Sequence, residues 1–148
     1  MAEHNESVAV VAELAYQDPD AALDWLTEAF GFETGLVVRN ESGGMVFSQT
    51  GYGSHTVVVV PEEPPRFVSP RSAGGANSQI IRIRIATDLD EHLNRARRHG
   101  AEILAEPELF FFGDRVYFVL DLEGHMWSFA QRIPGKGGPP PAGWTVER

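Results

Sequence analysis

"DPDAALDWLTEAFGF", residues 18–32, reads as a helix with both ends marked. Asp18 is an N-cap, whose carboxylate takes the unpaired amides of the first turn. Pro19 has the fixed φ that suits the first helical position, and Gly31 stands just past the end. Ala22, Leu23, Leu26, Ala29 and Phe30 recur at helical spacing and give one apolar face. Seventy residues on, the same design returns in "DLDEHLNRARRHGAEI", residues 88–103. Asp88 caps this second helix, Glu91 completes a capping box and Gly100 ends it. Leu89, Leu93 and Ala96 form its inner face. Arg95, Arg97, Arg98 and His99 crowd its last turns, where the helix dipole favours cations. This reading places His92 and His99 on the polar side or at the end of the helix.

Each helix follows a short strand, "VAVVAELAY" (8–16) in one case and "SQIIRIRIA" (78–86) in the other. Three strand-like runs come after the first helix: "ETGLVVRN", "GMVFSQT" and "HTVVVV". Three more come after the second: "AEILAEP", "RVYFVLD" and "HMWSFAQ". The order is βαβββ, twice. His55 and His125 are also seventy residues apart, so the offset holds at both ends of the unit and marks an internal repeat. The expected organisation is one α+β domain over 1–148, with module 1 at 8–60 and module 2 at 79–132. A Pro/Gly/Ser-rich linker at 61–78 joins them, and a flexible tail spans 133–148.

The 148 residues suffice for one domain with a core, and the 43% hydrophobic and 22% charged content is ordinary for a globular protein. There is no cysteine, which excludes disulfides, thiolate metal sites and thiol catalysis. The net charge of −9 argues against nucleic-acid binding. No apolar run is long enough for a membrane helix and the first residues lack a basic signal-peptide region, so the expected location is the cytoplasm. "RSAGGANS" has neither the strand-to-helix context nor the lysine of a phosphate-binding loop.

Taken together, "DPDAALDWLTEAFGF", "DLDEHLNRARRHGAEI", "FGDRVYFVLDLEGHMWSF" and the repeat itself resemble the vicinal oxygen chelate superfamily. That superfamily includes glyoxalase I, the bleomycin-resistance proteins and the extradiol dioxygenases. The resemblance spans roughly residues 8–132 and is strongest to small glyoxalase-like members ending in Asp-x-x-Gly-His-x-Trp. It implies paired βαβββ modules whose mixed sheets curl around a cavity with the helices outside. It also implies a homodimer in many members, in some with the cavity between chains. In metal-dependent members one position in the first and one in the last strand of each module supply ligands. Carried onto this sequence, those positions are Val11, Val58, Ile80 or Ile81, and Ser128. None is a good donor for zinc, iron or nickel, which take imidazole, carboxylate or thiolate. The expectation is no metal and no cofactor.

Strand alternation then assigns faces. Val10, Ala12, Leu14 and Tyr16 suit the helix side, which turns Glu13 to the cavity. Trp127 and Phe129 suit the helix side, which turns Met126, Ser128 and Ala130 inward. In "QIIRIRIATD" a plain count from Asp88 would bury Arg82 and Arg84 under the helices, at a cost of several kcal/mol unless paired. One extra residue at Ala86–Thr87 reverses this, packing Ile81, Ile83 and Ile85 on the helices. Arg82 and Arg84 then reach the cavity, where an arginine and Glu13 are in position to pair. Phe110 and Phe112, from the run before Gly113, are candidates for the cavity mouth or an interface. Arg115 is read as bracing the following turn through Asp121.

These residues define the expected site: Glu13, Arg82, Arg84, Phe110, Phe112, Met126 and Ser128. The leading functional reading is a metal-independent protein that binds a small aromatic or anionic molecule, for sequestration or resistance. The alternative is a metal-independent lyase or isomerase with Glu13 as general base. A third is a glyoxalase- or dioxygenase-type metal enzyme with unusual ligands. The expected partners are the small molecule and a second copy of the chain, with no nucleic acid and no membrane.

Overall fold

Both helices begin and end at the expected signals. The Asp18 carboxylate accepts from the Ala21 amide at 3.0 Å, and Gly31 takes a left-handed φ of 82°, open to glycine at little cost. Asp88 accepts from the amides of Asp90 at 2.9 Å and Glu91 at 3.3 Å. Only this half of the expected capping box forms, because the Glu91 carboxylate turns to Arg98 instead.

The chain is described from residue 8 to residue 148 by a computed structural model. Its elements are β1 (Glu13–Tyr16), α1 (Pro19–Phe30), β2 (Glu33–Arg39), β3 (Met45–Tyr52) and β4 (His55–Pro61). A connection with one 3-10 turn (Pro70–Ala73) leads to β5 (Ile81–Arg84), α2 (Leu89–Arg98), β6 (Glu102–Leu109), β7 (Asp114–Leu120) and β8 (Met126–Arg132). The class is α+β with two βαβββ modules, as expected. Each module makes its own four-stranded mixed sheet, in the orders β1-β4-β3-β2 and β5-β8-β7-β6. Within each, the first pair is parallel and the other two are antiparallel.

One face of each sheet is packed by helix, and α1 and α2 also pack on each other. A single core therefore serves both modules. Leu26, Ala29 and Phe30 of α1 meet Leu89, Leu93 and Ala96 of α2, with Tyr16, Val59, Tyr117, Trp127 and Phe129 from the strands. Phe30 sits at its centre, edge-on to Trp127 at 5.6 Å and to Phe129 at 4.8 Å.

The register of β5 takes the bulged solution. Ile85 is buried, Ile81 and Ile83 pack against the core, and Arg82 and Arg84 are exposed on the opposite face. Residues 85–88 separate β5 from its helix, where only residues 17–18 separate β1 from α1. In consequence Glu13 is aligned with Val58, and Arg82 with Ser128. Counting from those pairs makes Ile80, not Ile81, the counterpart of Val11. Ile81 belongs to the core side.

His92 is not on the polar side of α2. It is buried, with Nε2 2.9 Å from the Phe30 carbonyl and Nδ1 2.6 Å from the Tyr117 hydroxyl. A carbonyl can only accept, so the neutral ring carries its proton on Nε2 and Nδ1 accepts from Tyr117. Arg115 does not reach Asp121. Alternation places it on the helix side with Tyr117, where its fork grips both oxygens of Asp90 at 2.8 and 2.9 Å.

Candidate functional site

The turn before β8 fastens one module to the other. Asp121 accepts at Oδ2 from the Tyr16 hydroxyl at 2.6 Å and the Trp127 indole at 3.1 Å. Its Oδ1 takes the amides of Glu123 and His125, each at 3.0 Å. Glu123, only 3% exposed, accepts from the Gln17 and Asp18 amides and from the Ser69 hydroxyl. His125 donates from Nε2 to the Ala15 carbonyl at 2.7 Å. Burial raises both the Asp121 carboxyl and the Tyr16 hydroxyl above their ordinary ranges. Asn77, from the connection, bonds the Gly124 carbonyl and the Met126 amide and so holds the turn from its other side. This cluster is structural, and it fixes where β8 begins.

From that start, β8 turns Trp127 and Phe129 into the core and Ser128 and Ala130 to the helix-free face. Register across the sheet aligns Arg82 with Ser128 and Phe118, and Arg84 with Ala130 and Val116. The next pair, Arg132 and Asp114, completes the face. Ser128, Ala130 and Val116 are buried, so the floor is made of small side chains with arginines laid over them. Arg82 donates from Nε to the Ser128 hydroxyl at 3.1 Å. Arg84 reaches past Ala130 and donates from Nη2 to Asp114 Oδ2 at 2.8 Å. Asp114 is 2% exposed in its side chain, and its other oxygen makes no hydrogen bond, although Arg132 Nε lies 3.3 Å away.

Glu13 belongs to the other sheet. It is exposed and lines a cleft of about 350 Å³ with Met45, Val46, Val60, Pro61, Glu63 and Phe67. Among the described residues it pairs with neither arginine, because β1 and β5 lie in separate sheets and Arg84 takes Asp114 instead. Phe110 and Phe112 stack on each other at 5.4 Å beside the turn before β7. Met126 is half-buried at the start of β8. The expected site residues thus fall into three groups: Glu13 in its cleft, the Phe110–Phe112 stack, and the face carrying Arg82, Arg84, Met126 and Ser128.

The metal positions do not fit a divalent ion. At the positions the resemblance implies, the Val11, Val58 and Ile80 side chains offer no donor atom, and the Ser128 hydroxyl is engaged by a guanidinium whose charge repels a cation. Among the described residues no three His, Asp or Glu side chains converge on a possible metal position.

The sequence model of the Glyoxalase/Bleomycin resistance protein/Dioxygenase superfamily matches residues 8–129. The chain belongs to this superfamily. Among solved structures, TioX from Micromonospora sp. ML1 is similar with a TM-score of 0.66 and 36% identity, over 85% of this chain and 97% of that one. TnmS3, an antibiotic binding protein from Streptomyces sp. CB03234, has a TM-score of 0.66 at 17% identity, over 86% and 98%, a likeness of fold alone. A protein of Mycobacterium bovis, named only as uncharacterized, is 28% identical over 134 residues, which are 87% of this chain and 86% of the relative. Proteins of similar fold thus include one named as antibiotic binding. Among the described residues no helix is long and apolar enough to cross a membrane.

Proposed function

We propose that this chain is a metal-independent binding protein that holds a small aromatic or anionic molecule against the helix-free face of its second sheet. The observation that carries this reading is the Arg82–Ser128 contact. At a position where metal-dependent superfamily members hold a ligand, this chain has a hydroxyl covered by a guanidinium. The position is suited to a polar or anionic group and unsuited to a metal. Arg82 and Arg84 are exposed above the buried floor of Ser128, Ala130 and Val116, and Phe118 stands beside it, aligned with Ser128. That a protein of similar fold is named as antibiotic binding is in keeping with a sequestering or resistance role.

A second copy of the chain fits this proposal. Val38 and Val46 leave apolar surface uncovered at 40% and 52% exposure on the first sheet's side, and Phe112 does so beside the second. A homodimer that covers these side chains would close the sites.

The test is a titration of the isotope-labelled protein with a panel of planar aromatic compounds, followed by amide NMR shifts. The reading predicts shifts concentrated in β5, β7 and β8. Shifts confined to the helices, or none for any compound, would contradict it.

A further inference from the structure

Resting on that reading, we infer that Arg82 and Arg84 form a clamp for the carboxylate of a flat aromatic acid, with the ring lying across Ser128 toward Phe118. The two arginines are two residues apart on β5, so they share a face at a spacing of about 7 Å. Each is tied down by a single nitrogen to a buried acceptor, Arg82 to Ser128 on the neighbouring β8 and Arg84, reaching across β8, to Asp114 on β7. This tether orders the guanidinium and leaves its other N–H groups unused. Arg82 keeps its Nη1–Nη2 edge without a partner among the described residues, and the Arg84 side chain is 57% exposed. That edge matches the two oxygens of a carboxylate.

Charge points the same way. The chain carries −9 overall, yet β5, β7 and β8 place Arg82, Arg84 and Arg132 on this face against one carboxylate, Asp114. Asp114 is shared between Arg84 and Arg132, and no carboxylate lies within ion-pair distance of Arg82 among the described residues. Glu102 and Glu108 stand on β6, the far edge strand. Both lie on the helix-free face, Glu108 aligned with Val116, so the positive charge left there without an ion-pair partner among the described residues is local to Arg82. Neighbouring strands are about 5 Å apart, so Phe118 lies about 10 Å across the sheet from Arg82. A carboxylate on the clamp puts an attached two-ring system within reach of the Phe118 ring.

The probes are 2-naphthoic acid and its neutral counterpart 2-naphthamide, measured by the same NMR titration on the full chain. The acid is expected to bind about tenfold more tightly than the amide. Its affinity should weaken as sodium chloride is raised. Arg82→Gln and Arg84→Gln should each lose about tenfold for the acid and little for the amide, while Arg97→Gln, on the outer side of α2, should lose neither. Arg82→Gln is decisive if Arg84→Gln fails to fold, because the anchor of Arg82 is a neutral hydroxyl. Equal binding of acid and amide, or unchanged acid binding by Arg82→Gln, would overturn the clamp and leave the binding reading standing. Failure of both compounds to shift β5 and β8 would overturn the clamp and count against the face as a binding site.

Discussion

Glu123 is a buried carboxylate with no cation in ion-pair distance among the described residues, held instead by two amides and a hydroxyl. Such a group is stable only while every donor stays in place. Glu123→Ala strands the Gln17 and Asp18 amides and the Ser69 hydroxyl, and should cost about 3 kcal/mol in urea unfolding. His92 gives a second prediction. Burial holds its imidazole down to about 4, and the nearby Arg95 charge adds to this. In the unfolded chain the ring takes a proton near about 6.5. The folded pKa is the lower one, so the contribution is complete above about 6.5 and is lost as pH falls toward 4, on the order of 3 kcal/mol. Unfolding curves at about pH 7 and about pH 4.5 should show that loss, and His92→Gln should flatten it. Parallel curves for the two proteins would contradict the assignment. At this scale the sequence was partly legible. Leu89, His92, Leu93 and Ala96 follow the i, i+3, i+4, i+7 pattern of one helix face, so His92 carries a burial signal that its polarity masks. Glu123 carries no such signal, because its partners lie more than fifty residues away along the chain.

At the scale of the element, β5 decides the chemistry. A one-residue change in register would exchange its isoleucines and arginines between the core and the helix-free face. Ile85→Ala should cost about 2–4 kcal/mol, whereas Arg82→Ala should change stability by about 0.5 kcal/mol or less. The reverse order in thermal or urea unfolding would mean the opposite register. This register is legible in the sequence because burying two guanidinium groups costs more than inserting a bulge. Helix limits were legible for a similar reason, since caps and the closing glycine are local. The extent of β1 was not. Its pairing begins only at Glu13, aligned with Val58, although the apolar run starts at Val8. That limit depends on the pairing with β4, which lies about forty residues on, and not on the apolar run itself.

At the scale of the whole molecule, the repeat makes two sheets and the helices make one core. Each sheet spends one face on that core and leaves the other without a helix. The expected pairing of Glu13 with an arginine assumed that the sheets join, which spacing along the chain cannot establish. The uncovered valines of the first sheet and Phe112 predict a solution mass of twice 16.3 kDa by light scattering. Val38→Glu should give one chain with an unchanged circular dichroism spectrum. A wild-type monomer would contradict the dimer and leave the binding face intact.

The central claim is that the superfamily scaffold works here without a metal. Elemental analysis by inductively coupled plasma mass spectrometry tests it, on protein incubated with zinc, nickel, iron and manganese and then dialysed. The account predicts no stoichiometric retention of any of them. One ion retained per chain would contradict it, and would mean that side chains other than those at Val11, Val58, Ile80 and Ser128 hold the metal.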